Sequence, residues 1–406
     1  MAALAGPITD VIVFSHGWLN DVADARRSYP NWINSMRGQQ DDLARMRKVR
    51  PGFKPLLVGL HWPSQPWGDE RLTNDVSFGP DDASAADQLF TSFAARLGGD
   101  DSVRAPLRAV IDRIVSVKDP KRWPNPLGDD YQALDRTLGL KSLGAGAPPG
   151  SDREEFDPGS IYDEVKGEEA ARASFSLIDR DTLLAPLRTL SFWKMKDRGR
   201  LIGEKAAHAL LARLQGAAEG RDVRFHLVGH SFGCIVASAA IAGPIGGAGL
   251  PRPVDSLVLL QGALSLWAYC SSIAFAQGRP GYFARLMGGG RLRGPVVTTQ
   301  SRYDAAVGVW YPRGATVARQ VSFAPGQLPK YGGVGSFGIQ GPELSIADDS
   351  MLTADGGYSF VGGRVYNLEA SAFIRKSLGW FSGAHSDICH PEVAHTIWSA
   401  WMSCGR

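Results

Sequence analysis

Ser231 stands in Gly229-His230-Ser231-Phe232-Gly233, behind the apolar run Phe225-His226-Leu227-Val228 and ahead of Cys234-Ile235-Val236-Ala237-Ser238-Ala239-Ala240. An apolar run entering a stretch of small and β-branched residues reads as a strand turning into a helix, with the serine at the junction. In a G-x-S-x-G turn the central residue takes a strained backbone conformation that lifts its hydroxyl above the sheet edge. The flanking glycines remove Cβ atoms that would collide there. The five-residue pattern is weak by itself in a chain with 48 glycines among 406 residues; the strand before it and the helix after it give it weight. A serine so displayed can attack a carbonyl carbon.

Such a serine needs a base to take its proton, a carboxylate to orient the base, and donors for the oxyanion that forms. From Leu257 through Gly341 the only carboxylate is Asp304, just past the strand-like Val296-Val297-Thr298-Thr299. It is the candidate acid, the alternative being a cap for the helix-like Ala305 to Gly308. Three histidines follow: His385, His390 and His395. His385 is best placed, in the turn-forming Gly383-Ala384-His385-Ser386-Asp387. His390 precedes Pro391, which opens a final helix, and His395 falls inside that helix. Asp387 can tie the His385 loop down through backbone amides. For the oxyanion, the first strand ends in Ser15-His16-Gly17-Trp18, so the backbone amides of Trp18 and Phe232 are the candidate pair. His16 is read as a structural loop histidine.

The elements that must position these groups are short apolar runs at Val11–Phe14, Leu56–Leu60, Phe225–Val228, Leu257–Leu260, Val296–Thr299 and Val365–Leu368. They read as buried parallel strands. Helical patterns at Ala83–Leu97, Lys205–Leu214, Ile235–Ala242 and Pro391–Trp401 lie between several of them. The alternation predicts an α/β fold, a mostly parallel central sheet with helices on both faces. The chain reads as a single domain over 1–406. A large insertion falls within 65–200, part of it expected over the site as a cap, and a glycine-rich insertion occupies 312–360 before the last core strand. Gly333-Val334-Gly335-Ser336-Phe337-Gly338 matches a dinucleotide-binding pattern in letters, but no strand-to-helix unit surrounds it, so it is read as a loop.

In the combination of His16-Gly17-Trp18, Gly229-His230-Ser231-Phe232-Gly233, Asp304 and His385, the chain resembles the α/β-hydrolase superfamily of serine esterases and lipases. The resemblance covers about residues 8–64, 200–312 and 362–406. It implies a nucleophile at Ser231, an acid at Asp304, a base at His385, and an oxyanion hole at Trp18 and Phe232. The implied activity is cleavage of a small-molecule or lipid carboxylic ester through an acyl-enzyme, without a cofactor or metal. The chain begins almost at the strand that bears the oxyanion loop, so the family's preceding antiparallel edge strands are expected to be absent or replaced. A lipase or phospholipase is the nearest rival, and a non-catalytic binding protein on the same fold the rival from another class.

Composition narrows the rest. Hydrophobic residues at 44%, charged residues at 21% and a net charge of +3 describe an ordinary globular chain and do not suggest a nucleic-acid partner. Cys234, Cys270, Cys389 and Cys404 are scattered, without zinc or disulfide spacing. With no secretory leader pattern at Met1–Pro7, a cytoplasmic location is expected. Residues 256–278 are uncharged, but Gln261, Gly262, Ser265, Ser271 and Ser272 interrupt them, so no integral membrane segment is expected. Trp18, Trp62, Trp67, Trp267 and Trp310 lie near predicted strand ends; they suit either an apolar or aromatic acyl pocket or packing beneath the insertions.

Overall fold

The computed structural model describes residues 6–17, 22–64, 82–98, 100–172, 180–276, 278–304, 328–376 and 384–404. Strands form at Asp10–Ser15 (β1), Pro55–Leu60 (β2), Arg224–His230 (β3), Ser256–Leu260 (β4), Val296–Gln300 (β5), Ile346–Ser350 (β6) and Val365–Glu369 (β7). They make one sheet in the order β2-β1-β3-β4-β5-β7-β6, with every neighbouring pair parallel. β1 and β4 are buried at every residue and β3 at all but its first. A strand covered on both faces needs apolar side chains on both, which explains the unbroken runs in the sequence. Successive side chains feed two separate cores. Val11, Val13, Phe225, Leu227, Leu257 and Leu259 face one; Ile12, Phe14, Val228, Val258 and Leu260 face the other.

The helices are α1 (Val22–Gly38), α2 (Gln40–Val49), α3 (Asp82–Leu97), α4 (Asp101–Ser116), α5 (Asn125–Leu138), α6 (Pro158–Arg172), α7 (Arg180–Leu183), α8 (Ala185–Ile202), α9 (His208–Ala217), α10 (Gly233–Ala242), α11 (Val334–Phe337) and α12 (Pro391–Met402). Helices α1, α2 and α12 pack together over one face, and α8 to α10 over the other. Within the stretch 65–200 read as an insertion, α3, α5, α6 and α7 pack against α8, and α4 packs against α3 and α5. Val103, Leu107, Val110, Ile111 and Ile114 make the buried stripe of α4. Lys196 on α8, fully buried, meets Asp152 at 2.6 Å and pins the loop between α5 and α6 to this layer.

Three local readings are corrected. Residues 312–360 contain a core element, β6, which pairs with β7 at the sheet edge. Its sequence Ile-Ala-Asp-Asp-Ser is largely exposed and carries no apolar run, so periodicity hides it. The predicted helix at Lys205–Leu214 is the tail of a longer one, since α8 runs through a π-helical turn at Gly203–Ala207 into α9. A Cβ at Gly203 would lie 2.5 Å from Ala239 Cβ, so the glycine lets that turn press on α10. The Gly333–Gly338 segment, expected as a loop, includes the single turn α11.

Candidate active site

The chain lays β2 on one side of β1 and β3 on the other. The connections leaving β1 and β3 therefore diverge, which makes the carboxyl ends of these two strands the sheet's topological switch point, the place where open α/β sheets bind their ligands. Ser231 follows β3 at that point, and Ser15-His16-Gly17 closes β1 beside it. Ser231 has φ 57°, the left-handed region that a non-glycine residue enters at a cost. Its amide donates to Leu260 O at 3.1 Å, and its carbonyl accepts from Cys234 N at 3.1 Å and Ala263 N at 3.2 Å, so both neighbouring elements hold the turn. A Cβ at Gly229 would lie 2.5 Å from Gly233 O, and one at Gly233 would strike Ser15 O. A Cβ at Gly17 would lie 2.7 Å from Ser231 Cβ, so the β1 loop passes against the serine itself.

His385 and Asp304, 81 positions apart, are brought together. His385 Nδ1 lies 3.0 Å from Asp304 Oδ1 and 2.9 Å from Oδ2. Backbone bonds hold their loops in register: Ala384 N donates to Tyr303 O at 2.9 Å, and Ser301 Oγ donates to Ile374 O at 2.7 Å. Since a carboxylate only accepts, Nδ1 is the donor, so in the neutral ring Nε2 keeps the lone pair, the tautomer a base requires. His230 joins this pair to the elbow. Its Nε2 donates to His385 O at 2.9 Å, and the two rings sit 5.0 Å apart. Burial first, then the neighbouring His385, pushes the His230 pKa down to about 3, so it is neutral at physiological pH. Ser231, Asp304 and His385 are 5%, 4% and 7% exposed. Ser231 Oγ makes no hydrogen bond to the His385 ring in this structure; such bonds often tighten only when substrate binds.

Phe232 caps the amino end of the ten-residue α10 with its ring against Phe192 of α8, centroids 5.0 Å apart. Trp18, with Trp67, Trp310 and Ala305–Gly308, lies outside the described residues. Trp62 is a packing residue: it stacks on His16 at 5.7 Å and donates from Nε1 to His16 O at 2.9 Å. His16 is held at both ring nitrogens, Nδ1 donating to Gly17 O at 2.9 Å and Nε2 accepting from Trp62 N at 3.3 Å. His390 is the residue before α12. His395 is buried in that helix, with Nδ1 at 2.9 Å from Asp42 and Nε2 at 3.0 Å from Gly356 O. Asp387 accepts from Arg375 N and Lys376 N at 3.1 and 2.8 Å, the amide tie its loop position suggested.

Sequence reasoning missed Gln261, whose Nε2 donates to Asp304 Oδ2 at 3.0 Å. As the first polar residue after an apolar run it registers only as an interruption. It also missed a second serine–histidine–aspartate chain: His226 Nδ1 is 2.8 Å from Ser256 Oγ, and His226 Nε2 is 3.2 Å from Asp10 Oδ1. All three residues have no exposure and sit near the amino ends of β4, β3 and β1.

The fold and site define an α/β protein with seven parallel strands among the described residues, a strained serine at the sheet's switch point, and a buried histidine–aspartate pair joined to the serine's turn through His230. Among the described residues no helix is long and apolar enough to cross a membrane. Compared with protein-family models, curated proteins and solved structures, the chain matches none of them.

Proposed function

We propose that the protein is a serine hydrolase of the α/β-hydrolase type that cleaves a carboxylic ester through an acyl-enzyme. The observation that carries this reading is the backbone of Ser231, held at φ 57° where β3 enters α10, while the His385–Asp304 pair is tied to the same elbow through the bond from His230 to His385 O. Strain of this kind persists only where surrounding structure enforces it, and it clusters at reactive sites.

In the proposed reaction Ser231 Oγ attacks the ester carbonyl while its proton passes to His385 Nε2. The imidazolium is stabilised by Asp304, and the oxyanion accepts from the Phe232 amide at the positive end of α10. Collapse breaks the bond to the alcohol oxygen, which takes the proton from Nε2. Water then attacks the acyl-enzyme, giving its proton to Nε2. Ser231 leaves with that proton as the carboxylic acid departs. Nothing in the sequence requires a cofactor.

The test is reaction with a fluorophosphonate probe, mapped by peptide mass spectrometry. Modification at Ser231 that disappears in His385→Ala supports the reading, and an ester panel of graded chain length then measures substrate preference. A folded protein left unmodified would remove it.

A further inference from the structure

We propose that Gln261 is a positioning residue that orients the Asp304 carboxylate for His385, and that the glycine-rich turn around Gly335 exists to hold it. This inference rests on the hydrolase reading above. It begins from the backbone: among the described residues, Ser231 and Gln261 are the two non-glycine positions with positive φ, Gln261 at 46°. Gln261 directly follows β4, one strand over from the serine. A strained glutamine beside a strained nucleophile asks for a cause in the site.

The hydrogen bonds supply it. Thr299 Oγ1 accepts from Gln261 N at 3.0 Å and donates to Gln261 Oε1 at 2.9 Å. These two bonds close on one side chain and fix the amide orientation, oxygen toward Thr299 and nitrogen away. Nε2 then donates to Asp304 Oδ2 at 3.0 Å and to Gly335 O at 3.4 Å. The reverse orientation would set Oε1 against a carboxylate. Asp304 Oδ2 thus receives two donors, Gln261 from behind and His385 in front, which leaves the carboxylate one way to face.

Gly335 provides the wall behind this network. A Cβ there would lie 2.7 Å from Asp304 Oδ2 and 2.9 Å from the Gln261 carbonyl carbon, so only glycine fits. Gly335 N donates to Gly262 O at 2.9 Å and Gly335 O accepts from Ser301 N at 2.8 Å, tying the turn to the ends of β4 and β5. The middle glycine of the spacing that imitates a nucleotide-binding loop is thereby explained by close approach to the acid. Gln261 and Thr299 have no exposure, so a donor lost here is not replaced by solvent.

The experiment compares Gln261→Met and Gln261→Glu with wild type, each normalised by fluorophosphonate titration of Ser231 so that misfolded protein is not counted. Met keeps the length and removes the donor, leaving Asp304 more basic and the His385 imidazolium more stabilised. Glu adds a second negative charge when it ionises. Both variants are expected to lose about tenfold in kcat/KM per titrated site, and both move the acidic limb of its pH profile to higher pH. The downfield proton signal of His385 Nδ1 in the magnetic resonance spectrum is expected to shift in both. Unchanged kcat/KM, pH limb and Nδ1 signal in folded variants would overturn the proposal. Wild type that fails to label would instead overturn the hydrolase reading, while the Nδ1 signal still decides whether Gln261 orients Asp304.

Discussion

Two serine–histidine–aspartate sets share this sheet, one at each end of β3. At the amino end Asp10, His226 and Ser256 form a complete hydrogen-bonded chain with no exposure. At the carboxyl end His385 and Asp304 are paired and Ser231 is not yet bonded to the ring. By hydrogen bonds alone the set at the amino end looks better made. What separates them is backbone and place. Ser256 is an ordinary strand residue paired in register with His226, and Trp401 of α12 lies over the imidazole, 5.6 Å between rings. Ser231 is on a strained turn at the switch point, at the amino end of a helix. A hydrogen-bonded chain joins strands wherever polar groups are buried together; chemistry needs that chain at an edge a substrate can reach, with donors for the charge that develops.

The largest effect that could break this comparison comes from exchanging the two serines for alanine. Ser231→Ala is expected to lower ester turnover by about 10⁴-fold or more with the melting temperature little changed. Ser256→Ala is expected to leave turnover within about twofold and to cost about 1–2 kcal/mol of stability, from one buried hydrogen bond. Paired rate assays and urea unfolding check both. Turnover that survives loss of Ser231 and vanishes with Ser256 would reverse the assignment of the two sets.

A smaller effect is expected at Gly17. Its ideal Cβ position is 2.7 Å from Ser231 Cβ and 3.2 Å from Oγ, so Gly17→Ala must displace the serine or the β1 loop. Because misplacing a reacting group by about 1 Å can cost on the order of 10²-fold, a fall of that size in kcat, with folding retained, is expected. Wild-type kcat in the variant would mean that the β1 loop does not frame the nucleophile.

Six of the seven strands, the turn at Ser231 and the candidate residues Asp304 and His385, which the fold pairs, each left a local trace in the sequence. Buried parallel strands are apolar on both faces, Ser231 sits between glycines that close packing demands, and Asp304 is the sole carboxylate in a long stretch of sequence. β6 was not legible, since an edge strand can be polar. Gln261 and Gly335 were not legible for another reason: their roles exist only where β4, β5 and the turn at α11 converge. Neither composition nor period carries that convergence. Asp10, His226 and Ser256 show the same limit from the other side, as 246 residues of separation hide a buried network until the strands align.

The finest discrimination concerns the two histidines of β3. His226 has a carboxylate partner in Asp10, whereas His230 donates to the His385 carbonyl and meets the edge of Trp32, with ring centroids 6.0 Å apart. Because burial strips water from its charged form and His385 lies beside it, His230 stays neutral in the folded protein down to about pH 3. The unfolded chain takes up a proton there near pH 6.5. Below that pH the unfolded state binds the extra proton, so stability falls as the solution is acidified, by at most about 1.4 kcal/mol per pH unit for this one group. His230→Gln cannot titrate, and its unfolding free energy between about pH 6 and 4 is expected to be flatter by up to that slope. Urea titrations of both proteins across this window measure the difference directly. Parallel curves would mean that His230 is charged inside the fold, and a cation there would raise the cost of forming the His385 imidazolium 5.0 Å away.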